Sequence, residues 1–183
     1  MAKAVYIAPY QLTNLVPDGM MEPGSWSGGA QDASKVAFGH YSFKMAGVAS
    51  QTEALINSIA GISLIPSHIY YAAIHAWQDT KSGSIDIYWP IAEPSFMAGQ
   101  QVPETGKWCR VSGRNGRSSF GAGSYQIRFD YNNGFVAGTM WFDGPMLIDL
   151  TAEFGSGNEP TKEWCDENII LSADGQPFVR GGA

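Results

Sequence analysis

Met140-Trp141-Phe142-Asp143-Gly144-Pro145-Met146-Leu147-Ile148-Asp149-Leu150-Thr151, continuing through Glu153-Phe154-Gly155-Ser156-Gly157-Asn158-Glu159-Pro160-Thr161, is the stretch on which the reading of the fold turns. Large apolar residues run to Asp143, Gly144-Pro145 interrupts them, and a second apolar run reaches Leu150, which predicts strand, kink and strand. A Gly-rich turn follows. Either Asn158 or Thr161 can cap a short helix there, with Pro160 near its first turn. The residues before this stretch read as material for one sheet-built core, and those after it as an appendage. The expected division is a first strand or arm over 1–13, a sandwich over 14–157, and a helix and arm over 158–183.

Composition agrees. Of the 183 residues 44% are hydrophobic and 13% aromatic, enough for one domain with a sizeable core. Only 15% are charged, against 22 glycines and 10 prolines, so turn material outweighs that of exposed helices and a β-rich fold is favoured. A net charge of −6, with only Arg110, Arg114 and Arg117 loosely grouped, excludes phosphate-backbone recognition, so no nucleic-acid partner is expected. No run of about 18 apolar residues predicts a membrane span, and Met1-Ala2-Lys3 opens no apolar signal segment. Cys109 and Cys165 stand far apart, outside any CxxC or Cys/His cluster, the pattern of free thiols.

Along the chain, Val5-Tyr6-Ile7 predicts a first strand and Phe38 to Met45 another. Trp26, in the loop from Gly24 to Gly29, is expected to plug the edge of the core. Residues 52–61 fit either a helix capped by Thr52 and ended by Gly61 or a strand. Ile69 to Trp77 is a buried strand, and the turn at 81–84 feeds alternating Ile85 to Trp89, so the two are expected to form a hairpin. Trp108 to Ser112 precedes a loop rich in Gly, Ser and Arg from Gly113 to Gly123. Tyr125 to Asp130 alternates, and Asn132-Asn133-Gly134 is expected to turn it back onto 139–143. Short strands at this spacing predict a two-sheet sandwich.

Four segments, in order, carry a resemblance: Asn14-Leu15-Val16-Pro17-Asp18-Gly19-Met20-Met21-Glu22, His68-Ile69-Tyr70-Tyr71-Ala72, Gly106-Lys107-Trp108-Cys109-Arg110-Val111-Ser112, and Trp141-Phe142-Asp143. They resemble the jelly-roll carbohydrate-binding modules of the galactose-binding-like type. The segment from Ile148-Asp149-Leu150-Thr151 to Asn158-Glu159-Pro160-Thr161-Lys162-Glu163-Trp164 resembles one common in tail-associated and other structural proteins of phages and prophages of Gram-positive bacteria. Together these cover residues 14–170. The resemblance implies an all-β fold, a two-sheet jelly-roll β-sandwich with a short C-terminal helix and arm, and tips 52–65 toward strand. It also implies a structural calcium between Glu22 and Asp143, ligands of the hard oxygen type that ion takes. The other reading leaves Glu22 solvated and Asp143 satisfying turn amides. Met20-Met21 departs from the family's commoner polar or small residue followed by an aromatic.

No GxSxG, HExxH, P-loop or GxGxxG is present, so no catalytic constellation is visible. Glu53, Asp86, Glu93, Glu104 and Asp130 sit in turns or on strand faces, where solvation accounts for them. Sugar binding asks for less: an aromatic plane and a few polar side chains aimed at hydroxyls. Tyr71, Ala73, His75 and Trp77 share one strand face, Asp86 and Tyr88 another, Arg110 lies with Trp108, and Gln126 with Arg128. His75, Tyr88, Arg110 and Arg128 are therefore the candidate glycan contacts; the competing reading is an ordinary wet sheet face. Trp77, Trp89, Trp108 and Trp141 are read as core. A helix from about Pro160 to Ile169 puts Trp164 and Cys165 on one stripe with Asn168 and Ile169, able to dock on its own sandwich or a neighbour, and 174–180 reads as an exposed hairpin or arm.

The expectation is a non-catalytic phage or phage-like particle protein, made in the host cytoplasm and carried on the virion exterior. Its partners would be other virion proteins, further copies of itself in a homo-oligomer, and cell-surface glycan, with no membrane insertion. The alternatives are a decoration protein working through its Trp164 helix and termini, and a polysaccharide hydrolase whose carboxylate pair meets only in space.

Overall fold

A computed structural model of the chain describes residues 9–23, 26–47, 53–58, 61–79, 84–88, 95–116, 126–132 and 137–180, with the backbone alone at 47, 53–58, 88, 95–98 and 132. The strands are β1 (Tyr10–Gln11), β2 (Trp26–Ser27), β3 (Ala30–Asp32), β4 (Ser42–Gly47), β5 (Glu53–Ser58), β6 (Ile69–Gln78), β7 (Ser84–Tyr88), β8 (Ser95–Gln101), β9 (Cys109–Gly116), β10 (Arg128–Asn132), β11 (Gly138–Asp149), β12 (Ile169–Leu171) and β13 (Pro177–Val179). Helices α1 (Leu150–Phe154) and α2 (Lys162–Asn168) lie between β11 and β12. The architecture is a two-sheet jelly-roll sandwich. One antiparallel sheet runs β3-β4-β11-β6-β9, the other β2-β5-β10-β7-β8, and a small sheet β1-β13-β12 joins the helices in a third layer.

Burial tells the two large sheets apart. In β10 and β7 the apolar residues Phe129, Tyr131, Ile85 and Ile87 face the core, while Arg128, Ser84 and Asp86 on the other face stay partly exposed around a buried Asp130. β6 and β11 are buried almost throughout, because they are covered on both sides. Tyr70, Ala72, Ile74, Met140, Phe142 and Leu147 face the inter-sheet core; Tyr71, Ala73, Met146 and Ile148 face outward against Leu12, Leu150, Cys165, Ile169 and Val179 of the third layer. The C-terminal helix thus docks on its own sandwich, and the tail forms the β12–β13 hairpin whose Val179 and Phe178 pair with Tyr10 and Gln11. Cys109 and Cys165 are free and buried, one in each apolar cluster, and burial pushes the Cys165 thiol up to about 12.

The kink at Gly144-Pro145 is a bulge within one continuous β11, where the register against β6 shifts between Asp143 and Met146. Gly144 has φ 58, and a Cβ there would lie 2.6 Å from Phe38 and Leu171 side-chain atoms, so only glycine fits. The opening motif satisfies what the bulge leaves over: Asn14 Nδ2 donates to the Pro145 carbonyl (3.0 Å), and its Oδ1 accepts from Leu147 N (3.0 Å) and Val16 N (3.1 Å).

Residues 53–58 are strand β5, which resolves the ambiguity of that segment. Trp26 is buried against Phe129, with its indole N–H on the Asp18 carbonyl, and plugs the core edge. Two expected hairpins do not form. β6 pairs with β11 and β9 while β7 pairs with β10 and β8, and β10 likewise lies in the sheet opposite β11. Alternation fixes which face of a strand is buried but not its neighbour; facing one another across the core satisfies the same pattern as pairing. The expected strand at Val5-Tyr6-Ile7, most of the turn at 81–84, the turn at 133–134, Trp89 and the 117–123 part of the Gly/Ser/Arg loop lie outside the described residues.

Candidate functional site

The segment that reads as most specific in the sequence is a structural clasp. Asp149 caps α1 through Ala152 N (2.9 Å) and takes His68 Nδ1 at 2.7 Å. Thr151 Oγ1 accepts from Ile69 N (2.9 Å) and donates to Glu159 (2.7 Å), whose other oxygen accepts from Gly157 N (2.9 Å). Arg114 Nε donates to the Pro160 carbonyl at 2.7 Å, and Thr161, of the two possible caps, closes α2 through Trp164 N. Thr151, Glu159 and Thr161 serve the turn that joins α1 to α2, while Asp149 and Glu153 tie the segment to His68 and to Tyr10 and Thr13.

Asp143 and Glu22 come near one another around the 37–40 loop. Asp143 Oδ2 accepts from Ala37 N (2.7 Å) and Phe38 N (2.9 Å), its Oδ1 from Gly144 N (2.7 Å), and Glu22 Oε1 from His40 N (2.9 Å). Burial, offset in part by those amides, pushes the Asp143 carboxyl up to about 6. The donor set does not fit a calcium ion. Four N–H groups point their positive ends at the oxygens a cation would need, and no group of three or more His, Cys, Asp or Glu side chains suited to a metal occurs among the described residues.

The four candidate glycan residues separate into two pairs on opposite sides of the sandwich. His75 and Arg110 face one another in register on β6 and β9. Arg110 Nη1 donates to the carbonyls of Ile169 (2.6 Å) and Asp166 (3.3 Å), its Nη2 meets Met146 Sδ at 3.3 Å, and its guanidinium lies 5.5 Å from the Tyr71 ring centre, so it pins the end of α2 to the sheet. His75 packs edge-on to Phe38 at 4.9 Å; burial first, then the charge of Arg110, pushes its pKa down to about 4 and keeps the ring neutral. On the other sheet, Arg128 stands opposite Tyr88 in register, and Asp130 opposite Asp86. Arg128 is paired with Asp130, its Nη2 donating to Oδ2 at 3.1 Å and its Nε lying 2.9 Å from Oδ1, and Asp86 accepts from Gly99 N. That pair belongs to a polar strand face. Nothing is described of the Tyr88 side chain.

Two features escaped the sequence reading. Trp77 and Trp108, half-buried and in neither apolar cluster, gather with the buried Trp141 on the outer face of the first sheet, Trp77 and Trp108 edge-to-face at 6.1 Å, with Lys35 Nζ 5.0 Å from Trp77 and 4.9 Å from Trp141. A pocket of about 320 Å³ also opens where the edges of both sheets meet α2, lined by Gln100, Gln101, Pro103, Arg110, Val111, Ser112, Lys162 and Asp166. The Lys162/Asp166 spacing of four on a helix was the one signal available for it.

No protein-family model matches the chain, and no curated protein matches it. Solved structures do. Family 16 Carbohydrate Binding Module-2 superposes with TM-score 0.55 at 14% identity over 74% of this chain and 99% of its own. A CBM4 module gives 0.50 at 14% identity over 67% and 92%. An arabinose-bound GH51 α-L-arabinofuranosidase gives 0.61 at 12% identity, over 86% of this chain but 29% of the enzyme. The chain therefore has the β-sandwich fold of the carbohydrate-binding modules.

Proposed function

We propose that this protein is a non-catalytic carbohydrate-binding module that presents the outer face of β10, β7 and β8 to a glycan, with Tyr88 and Arg128 at the centre of the contact. The observation that carries this is that Arg128, opposite Tyr88 in backbone register, stays partly exposed on the outer side of its sheet, while the corresponding face of the other sheet lies under the third layer at Tyr71 and Ala73. An arginine paired with Asp130 is a hydrogen-bond donor held at one place on the sheet, which suits sugar hydroxyls. Likeness of fold to carbohydrate-binding modules supports the ligand class. Two carboxylate pairs come together, Glu22 with Asp143 and Asp86 with Asp130, and each member is engaged by a backbone amide or by Arg128, which supports a binding rather than a hydrolytic role. No helix among the described residues is long and apolar enough to cross a membrane.

The setting we infer is the exterior of a phage or phage-like particle (tail, baseplate or capsid surface), on the resemblance of the 148–164 segment. Several copies would act together there and amplify a weak single-site affinity for host glycan. A glycan array with the purified chain, followed by calorimetry on the best ligand and by light scattering, tests this. Arg128→Ala is expected to weaken binding at least about tenfold, the loss of one charge-assisted hydrogen bond. Binding unaffected by Arg128→Ala, or no glycan bound at all, refutes the assignment, and release of reducing sugar from a polysaccharide would point to the hydrolase instead.

A further inference from the structure

The pocket between the two sheet edges and α2 has the makings of a second ligand site. Its walls come from three places: Gln100, Gln101 and Pro103 from the end of β8 and the chain after it, Arg110, Val111 and Ser112 from β9, and Lys162 and Asp166 from α2. Pro103 and Val111 offer an apolar patch. Two amides, a hydroxyl and three charged groups surround it, in a volume of about 320 Å³ that accommodates a sugar ring.

The lining is rigid and carries a net charge. Asp166 accepts from Tyr71 Oη (2.7 Å), from the Ser112 hydroxyl and from Lys162 Nζ (2.6 Å). Burial pushes its carboxyl up, but the hydrogen bonds from Lys162, Ser112 and Tyr71 outweigh that and hold it below the usual range, so it stays ionised. Lys162 thus neutralises Asp166. Arg110 is different: its partners are carbonyls, a thioether and an aromatic ring, none of which cancels its charge. Among the described residues that line it, two cations and one carboxylate, the pocket therefore keeps a net positive charge in a chain whose net charge is −6. Such a site favours an anion, and the amides and hydroxyl around it favour one that also carries hydroxyl groups.

We propose that this pocket binds a single acidic sugar unit, its carboxylate or phosphate near Lys162 and Arg110 and its ring over Pro103 and Val111. The inference rests on the carbohydrate-binding reading but names a different site and a charged ligand. The test is titration of the nitrogen-15-labelled full chain with glucuronic acid, glucose 6-phosphate, galactose and inorganic phosphate, followed by amide chemical shifts. Both acidic sugars are expected to give saturating shifts at Gln100, Gln101, Ser112 and Lys162, and the stronger of the two identifies the acidic group; galactose should not saturate there. Lys162→Gln should weaken the interaction about tenfold, as loss of a charge-assisted contact does. Gln101→Ala, on an exposed residue, should weaken it severalfold and guards against misreading a disturbed α2. Absence of saturating shifts at those four residues overturns the proposal. Inorganic phosphate matching the acidic sugars overturns the sugar class. Shifts confined to Arg128 and Gly99 sink the pocket while leaving the carbohydrate-binding reading standing, whereas pocket shifts with a blank glycan array and no response at Arg128 do the reverse.

Discussion

Arg110→Met keeps the apolar stem of the side chain and deletes its guanidinium, and it separates a pin from a ligand contact. The short bond to the Ile169 carbonyl at 2.6 Å is charge-assisted and should contribute roughly 1.5–3 kcal/mol net. The bond to the Asp166 carbonyl at 3.3 Å is long and adds less, and the contact with the Tyr71 ring at 5.5 Å adds roughly 0.5–1 kcal/mol. Against this stands relief from holding a charge out of water with no carboxylate beside it, which returns part of the sum. The expected net loss is about 2–3 kcal/mol, or roughly 5–10 °C in midpoint for a chain of this size. Urea unfolding at neutral pH measures it, and hydrogen exchange should show the amides of α2 and β12 losing protection first. A loss under about 0.5 kcal/mol, with exchange in α2 unchanged, would refute the reasoning and return Arg110 to the surface as a ligand contact.

Acid dependence should betray His75 and Asp143, which face one another in register. The His75 pKa, near 4 against an ordinary 6.5, marks stability that is present above pH 6.5 and lost as pH falls through 4, about 3 kcal/mol. Asp143, near 6 against 3.8, contributes in the opposite sense: its stability is present below pH 3.8 and lost as pH rises through 6, again about 3 kcal/mol. The two largely cancel in the wild type, so His75→Phe should gain about 3 kcal/mol relative to it between pH 7 and 4 by denaturant titration; a difference independent of pH counts against a buried neutral histidine. Because amides point at both oxygens of Asp143 and at Oε1 of Glu22, millimolar calcium or a chelator should leave the thermal midpoint within about 1 °C. A calcium-dependent rise of several degrees would mean that an ion displaces those donors.

The fold was legible where one residue pattern had one physical solution. Gly144-Pro145 between two apolar runs marks a bulge because a proline without N–H and a glycine at positive φ fit little else inside a strand. The Asn158 to Thr161 turn marks a helix start for the same kind of reason, although which of the two residues caps it, Thr161, came only from the structure. What stayed hidden were relations between segments. Ile85 and Ile87 face the core whether β7 pairs with β6 or stands across from it. On the strand bearing His75, side-chain period distinguishes the two faces but not which is wet, and a layer folded back from residues 150–180 turns an apparent polar face into a second interior. Arg110 and Arg128 look alike in sequence for this reason, though one lies under α2 and the other on a polar strand face. Trp77 and Trp108 were misplaced by the converse: a large ring near an apolar strand is usually core, but these two point outward, half-buried, with Lys35 over Trp77, while Trp141 is buried as expected.

The polar contacts of the third layer bear on more than stability. Its apolar seat, Leu12, Leu150, Cys165, Ile169 and Val179 on Tyr71, Ala73, Met146 and Ile148, is non-directional and would tolerate a shift of the helices. Directional bonds remove that freedom: Arg110 to Ile169, Asp166 to Tyr71 and Ser112, Arg114 to Pro160, and Glu153 to Tyr10 Oη and Thr13 N. The pocket beside α2 exists only in that one register, since Lys162 and Asp166 reach it only when the helix is seated. A ligand held there would bind the docked state alone, so it would stabilise docking to an extent set by its concentration relative to its Kd, and a substitution that loosens α2 would weaken it by the factor by which the docked fraction falls.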